Sequence, residues 1–378
     1  MRRAALLSLV IALPLAGATG VFARDPRGPR GPMFHGGARP VTLGPTPRGV
    51  SGTTAAACGE CHAEIAREWR ASLHARAWDD PVFQAAYAVE PMAFCRNCHA
   101  PLTRPGRAPD RVAAEESVSC AVCHVRAGTV LSTRASGASP HPVFATRSLG
   151  QSAFCAPCHQ FNFPADPGPR SDVYASDEPM QDTWEEHRLS DAYARGTTCQ
   201  DCHMPWRDDG RGRRHRSHAF PGGSDLGLLR RAVRVELRAR RAGEGTVVEA
   251  RLLPGDTGHA YPTGDLFRRA ELVVWREGDE AHPRTLGFAR EFAPVLERSP
   301  RGEMVFVRRQ SRDGRVPPPG TGPVAFQTLR FEGPATRVRW RLDHLLMPTP
   351  MAASHGVGDA RNRIEVTAGE APVDPGGP

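Results

Sequence analysis

The chain has 378 residues with 49 basic and 41 acidic side chains, a formal charge of +8, and every basic residue is arginine because no lysine occurs. Beyond the first segment no run is apolar over the roughly 20 residues that a membrane-crossing helix needs, which excludes a polytopic membrane protein. The length leaves room for two domains.

At the start, Met1-Arg2-Arg3 is a short positive stretch, Ala4 to Gly20 is apolar, and Val21-Phe22-Ala23 offers cleavage after Ala23. This is the layout of an export signal, so residues 1–23 read as a signal peptide of a periplasmic or secreted protein with no membrane span after cleavage. An uncleaved anchor is the competing reading, because the apolar run is near the spanning threshold. Residues 24–54 are rich in Pro, Gly and Arg, have no hydrophobic period, and read as a disordered linker.

Next, Cys-x-x-Cys-His recurs five times: Cys58, Cys61 and His62; Cys95, Cys98 and His99; Cys120, Cys123 and His124; Cys155, Cys158 and His159; Cys199, Cys202 and His203. These copies use all 10 cysteines. In this pattern two thiols add to the vinyl groups of a haem, and the adjacent imidazole reaches the iron. Zinc sites gather four ligands from paired clips, so five clips would leave one over. A thioredoxin-like redox motif would occur once, and structural disulfides would not demand His at the same offset each time. The five clips therefore predict five covalently attached c-type haems. Arginine suits their propionates through its planar fork, which accounts for the basic surplus and argues against a nucleic-acid partner.

The five motifs fall within residues 55–222, one for roughly every 33 residues, too little chain to enclose each haem in its own domain. The predicted helices are short, Ala63 to Trp78, Pro81 to Val89 and Thr183 to Arg195, with loops such as Phe163 to Pro179 between them. After Phe220-Pro221-Gly222-Gly223 the pattern becomes alternating: Val233 to Leu237, Thr246 to Leu253, Ala270 to Trp275, Met304 to Val307, Val324 to Phe331, Val338 to Leu342, and Ile364 to Val366. Seven or so short strands with Gly/Pro turns predict an antiparallel β-sandwich over 223–368. Residues 369–378 read as a disordered tail. The expected fold class is α+β, a mostly α, loop-rich pentahaem domain followed by the sandwich.

The second axial face of each iron decides between electron carriage and catalysis. Ten of the 15 His lie outside the motifs. His74 follows an amphipathic stretch, His141 lies between the third and fourth motifs, and His187 sits on the helix leading to the fifth. His215 and His218 follow the fifth motif, and His259 lies in a loop after a predicted strand. His74, His141, His218, His259 and His187 are the expected second ligands, with His215 a further candidate and Met92, Met180 and Met204 alternatives. His35, in the linker, reads as solvated, and His282, His344 and His355 as structural.

The segments CHxxIxxEWxxSxHA (Cys61 to Ala75), FCRNCHAPL, SVSCAVCH, FCAPCHQFNFP, CQDCHMP, SHAFPGG and GHAYPTG resemble multihaem cytochromes c of the cytochrome c-554 and hydroxylamine oxidoreductase type. The resemblance covers the haem segment and the start of the sandwich. It implies closely stacked haems, rapid electron transfer between them, and His74 as an iron ligand. The lysine ligand of pentahaem nitrite reductases has no counterpart here, and none of Tyr87, Tyr174, Tyr193 and Tyr261 matches the cross-linked tyrosine of hydroxylamine oxidoreductase. No catalytic residue carries over. The expected function is electron transfer between unidentified donor and acceptor proteins. The alternative is an oxidoreductase acting on a small nitrogen or sulfur species at one five-coordinate haem.

Overall fold

The computed structural model describes residues 39–134, 139–164, 174–208, 214–298 and 302–375. The expected signal peptide, residues 24–38 of the linker (His35 among them) and the last three residues lie outside them. Among the described residues no helix is long and apolar enough to cross a membrane. The fold is mixed α and β.

In the first half no described helix exceeds nine residues. Helix α1 (Ala63–Arg70) ends earlier than the pattern predicts. Buried Ser72 donates its hydroxyl to the Trp69 carbonyl at 2.7 Å, diverting an acceptor that the helical ladder would use. The chain then turns through a short 3-10 stretch at His74–Arg76. Helix α2 (Pro81–Val89) matches expectation: Asp80 accepts from the amides of Val82 and Phe83, and Pro81 occupies the first turn, where its missing N–H costs nothing. The third predicted helix is split into α3 (Thr183–Arg188) and α4 (Asp191–Ala194). Ser190 caps α4 by accepting from the Tyr193 amide while donating to the His187 carbonyl. This half is not simply helical, since three small sheets tie its loops together.

The second half holds β1 (Val233–Ala242), β2 (Gly245–Pro254), β3 (Arg269–Arg276), β4 (Arg284–Arg298), β5 (Met304–Asp313), β6 (Ala325–Phe331), β7 (Arg337–Leu345) and β8 (Arg363–Asp374). Instead of two hydrogen-bonded layers, all eight form one sheet in the order β5-β4-β3-β7-β8-β1-β2-β6. Every pairing is antiparallel except β8 with β1. The sheet curls until Gln327 of β6 donates to the Gly287 carbonyl of β4 at 2.6 Å. Leu252, Leu272, Phe288, Val316 and Leu342 fill the space it encloses, all with no exposure.

Strand β4 was absent from the sequence pattern because Gly287 and Pro294 interrupt its alternation. Strand β8 continues to Asp374 through residues expected to be a disordered tail. Gly369 pairs with Trp340, and a Cβ there would stand 2.6 Å from the indole, so the ring needs a glycine beneath it. The described end of the linker is also docked: Val41 donates to the Pro101 carbonyl, and Gly128 donates to that of Leu43. The two halves meet where Val82 and Ala85 of α2 pack with Met347, Ala352 and Val357.

Candidate haem-binding cavity

One connected cavity of about 2750 Å³ runs through the first half and against the sheet, and all ten cysteines and the five motif histidines line it. Four of the motifs lie in or against single helical turns of four or five residues, Arg96–His99, Cys120–His124, Ala156–His159 and Cys199–His203. A helical turn puts residues i, i+3 and i+4 on one side, so both thiols and the imidazole of a motif point the same way.

Hydrogen bonds set the tautomers. Nδ1 of His99, His124 and His203 lies 2.7, 2.9 and 2.6 Å from the carbonyls of Ala77, Leu131 and Pro221. Nδ1 of His218 and His259 likewise contacts the carbonyls of Arg216 and Ala260, at 2.8 and 2.9 Å. A carbonyl only accepts, so Nδ1 carries the proton and Nε2 keeps its lone pair, the state a metal requires. Burial favours the neutral form of His74, His99, His124, His159, His218 and His259. Desolvation, with help from His159, drives His74 down to about 3. Desolvation with His203 takes His159, and desolvation with His124 takes His218, to about 4.

The imidazoles face one another in pairs. Ring centroids are 6.5 Å apart for His62 and His141, 6.4 Å for His159 and His74, 6.1 Å for His124 and His218, and 6.2 Å for His203 and His259. Two metal–imidazole bonds of about 2.0–2.1 Å plus two ring radii of about 1.1 Å give about 6.3 Å when one ion lies between the rings. These residues fit a six-coordinate iron with an imidazole on each face.

His99 differs. Its ring stacks on Phe83 at 3.6 Å, and among the described residues no imidazole stands opposite it. The charges of Asp265, Arg268 and Asp80 reach it. His187, expected as an iron ligand, is not brought opposite any motif histidine. Its Nδ1 lies 3.0 Å from the Gly258 carbonyl and its Nε2 3.3 Å from Ser152 Oγ, so both nitrogens are engaged. His215 contacts the Glu68 carboxylate at 3.2 Å. Met92, Met180 and Met204 line the cavity.

Several residues that position these rings had no role readable from the sequence, although Glu68 and Trp69 lie in the segment CHxxIxxEWxxSxHA. Trp69 Nε1 donates to the Val118 carbonyl, and the Val118 amide donates to the His74 carbonyl. Glu68 accepts from the His218 amide at 2.8 Å. The His259 loop is gripped by Glu186, which accepts from the Ala260 amide and the Thr263 hydroxyl. Glu186 is in turn held by Arg315 Nη1 at 2.6 Å, both side chains being 7% exposed. Arg315 also clasps Asp313.

Thiols of different motifs touch. The thiols of Cys58 and Cys120, of Cys155 and Cys199, and of Cys158 and Cys98 are close enough to shift each other's ionisation, and the Cys158 charge reaches Cys123. The five motifs form one connected group with the fourth at its centre.

Residues 57–125 match the family model described as cytochrome c554 and c-prime. No curated protein matches the chain in sequence. The fold is similar to the crystal structure of a penta-heme cytochrome c552 from Thermochromatium tepidum, with a TM-score of 0.58, 20% identity, and coverage of 84% of this chain and 98% of that one. The cavity and its motifs define a covalent haem protein of c type. Over residues 57–125 the chain is similar to cytochrome c554, and its fold is similar to that of a penta-heme cytochrome c.

Proposed function

We propose that the chain is an exported, periplasmic or secreted cytochrome that carries electrons through five covalent haems, one at each motif. The observation that carries this reading is the set of four imidazole pairs at 6.1–6.5 Å. The cavity also allows about 550 Å³ for each motif, within the range of a single ligand-sized site. The paired cysteines form the thioethers, and His62, His99, His124, His159 and His203 are the first axial ligands. His141, His218, His74 and His259 are the second ligands of the first, third, fourth and fifth motifs. The haem supplies one-electron chemistry, while the chain sets spacing, axial ligation and burial.

Contacts between thiols of different motifs support close haem packing, with the fourth site joining the second, third and fifth. Residues 55–222 form the cytochrome domain. The sheet domain, taken as 223–368 and extended by β8, is a scaffold that contributes His259. Donor and acceptor are redox proteins. The test is intact mass with a pyridine-haemochrome count, on protein made in a host with haem-ligation machinery. Five haems per chain support the reading, and an unmodified polypeptide refutes it.

A second reading rests on His99, which has no facing imidazole among the described residues. The iron there would be five-coordinate and open to a small nitrogen or sulfur species. A high-spin ferric signal that shifts on adding nitrite, hydroxylamine or sulfite would favour this activity; a signal indifferent to all three would favour carriage alone.

A further inference from the structure

Among the described residues, two neighbouring side chains of the cavity wall, His344 and Tyr261, have polar atoms without a hydrogen-bond partner. His344, on β7, is 3% exposed, and neither ring nitrogen has a hydrogen-bond partner. Tyr261, also 3% exposed, has a hydroxyl without one. Their rings are 5.7 Å apart and both line the cavity. Burial drives His344 down to about 3 and raises Tyr261, so each is neutral and offers a donor. An unmet buried donor is costly, which is why such groups nearly always have partners. Asp343, whose charge reaches Tyr261, is no candidate, because Arg341 and Arg363 already hold it.

The location identifies what the dyad faces. Pro221 accepts from His203 Nδ1, and two residues later a Cβ on Gly223 would stand 3.2 Å from His344 Nε2. His259 faces His203, and two residues later comes Tyr261. Both chain segments that grip the fifth site therefore run on into the dyad. Arg268 lies beside it: its charge reaches His344, its side chain lines the same cavity, and one of its nitrogens is spent on the Leu346 carbonyl.

An O–H, an N–H and a guanidinium with spare donors form a site for an acceptor-only, negatively charged group, and charge-assisted hydrogen bonds there are the strong kind. We infer that Tyr261 and His344, with Arg268 beside them, are the seat for a propionate of the haem carried at Cys199 and Cys202. The inference rests on the haem reading above. Its consequence is electrostatic. Donors on the carboxylate offset its negative charge, and without them that charge favours the ferric state.

The test uses holoprotein with Tyr261→Phe and separately His344→Phe, each of which keeps a ring and removes the donor, with haem labelled by 13C at the propionates. Spectroelectrochemistry is expected to show one midpoint potential lowered in each variant, and infrared difference spectra a shift of one labelled carboxylate band, with the haem count unchanged. Unmoved potentials and bands at full haem count would overturn the seat and leave the haem reading intact. A high-spin conversion in His344→Phe would make His344 an axial ligand and also overturn the seat. A wild-type Cys199–Cys202 peptide without haem would overturn both.

Discussion

His74 stands opposite His159 with ring centroids 6.4 Å apart, although one follows the first motif and the other belongs to the fourth. Its edge packs on Phe220 at 4.4 Å, so the ring cannot easily turn away. His74→Ala should convert one ferric haem from low to high spin while all thioether bonds remain. Electron paramagnetic resonance of the oxidised protein checks this; an unchanged spectrum would remove His74 from the iron.

Gly49 adopts φ +79, a left-handed conformation, and an added Cβ would run into the Pro140 carbonyl next to His141. Gly49→Ala should cost at least about 1 kcal/mol and push His141 away from His62. The expected readout is a second high-spin conversion, at the first motif, in a variant whose axial ligands are all intact.

The Glu186–Arg315 pair joins the helical half to the His259 loop and is almost wholly buried. Arg315→Met leaves a charged carboxylate without its cation and should destabilise by about 3–5 kcal/mol. Adding Glu186→Leu removes the stranded charge, so the double variant should recover part of that loss. Urea titrations of the holoproteins compare the three, and equal stability of single and double variants would contradict the ion-pair account.

Asp182 accepts from Gln160 at 2.8 Å, yet desolvation and the neighbouring Glu186 charge push its pKa up to about 6, from an ordinary 3.8. The folded protein thus holds this proton more tightly than the unfolded chain. Stability from this group should be full below about pH 4 and fall by roughly 3 kcal/mol as pH rises through 6. Glu186 is lowered instead, against its own desolvation, by Arg315, so its contribution is lost as pH falls below the ordinary range near 4.5. Asp182→Asn should flatten the decline between pH 4.5 and 6.5 in a stability–pH series, and an unaltered slope would clear Asp182.

The attachment sites were legible because two thiols and an imidazole at fixed spacing are a local pattern that one helical turn presents together. His74, His141, His218 and His259 stood out as candidates, but their partners were not readable, since pairing depends on how distant loops close around the cavity. His187 resembled them in sequence and differs only because Ser152 and Gly258 reach both its nitrogens. Helix α1 looked longer because Ser72 leaves the apolar pattern intact while breaking the backbone ladder. Strand β4 is hidden by Gly287 and Pro294, and the glycine at 369 reads as a tail signal although Trp340 lies over it. Arg315 was one arginine among many, and its burial against Glu186 is a long-range event.

On the proposed reading five irons would sit in the cavity, four between two imidazoles and one, at His99, with a single imidazole. Mössbauer spectroscopy of oxidised protein enriched in 57Fe counts every iron by spin state. The account predicts low-spin and high-spin ferric haem in a ratio of four to one. A single low-spin class would contradict the open site at His99, and iron without haem parameters would contradict the whole reading.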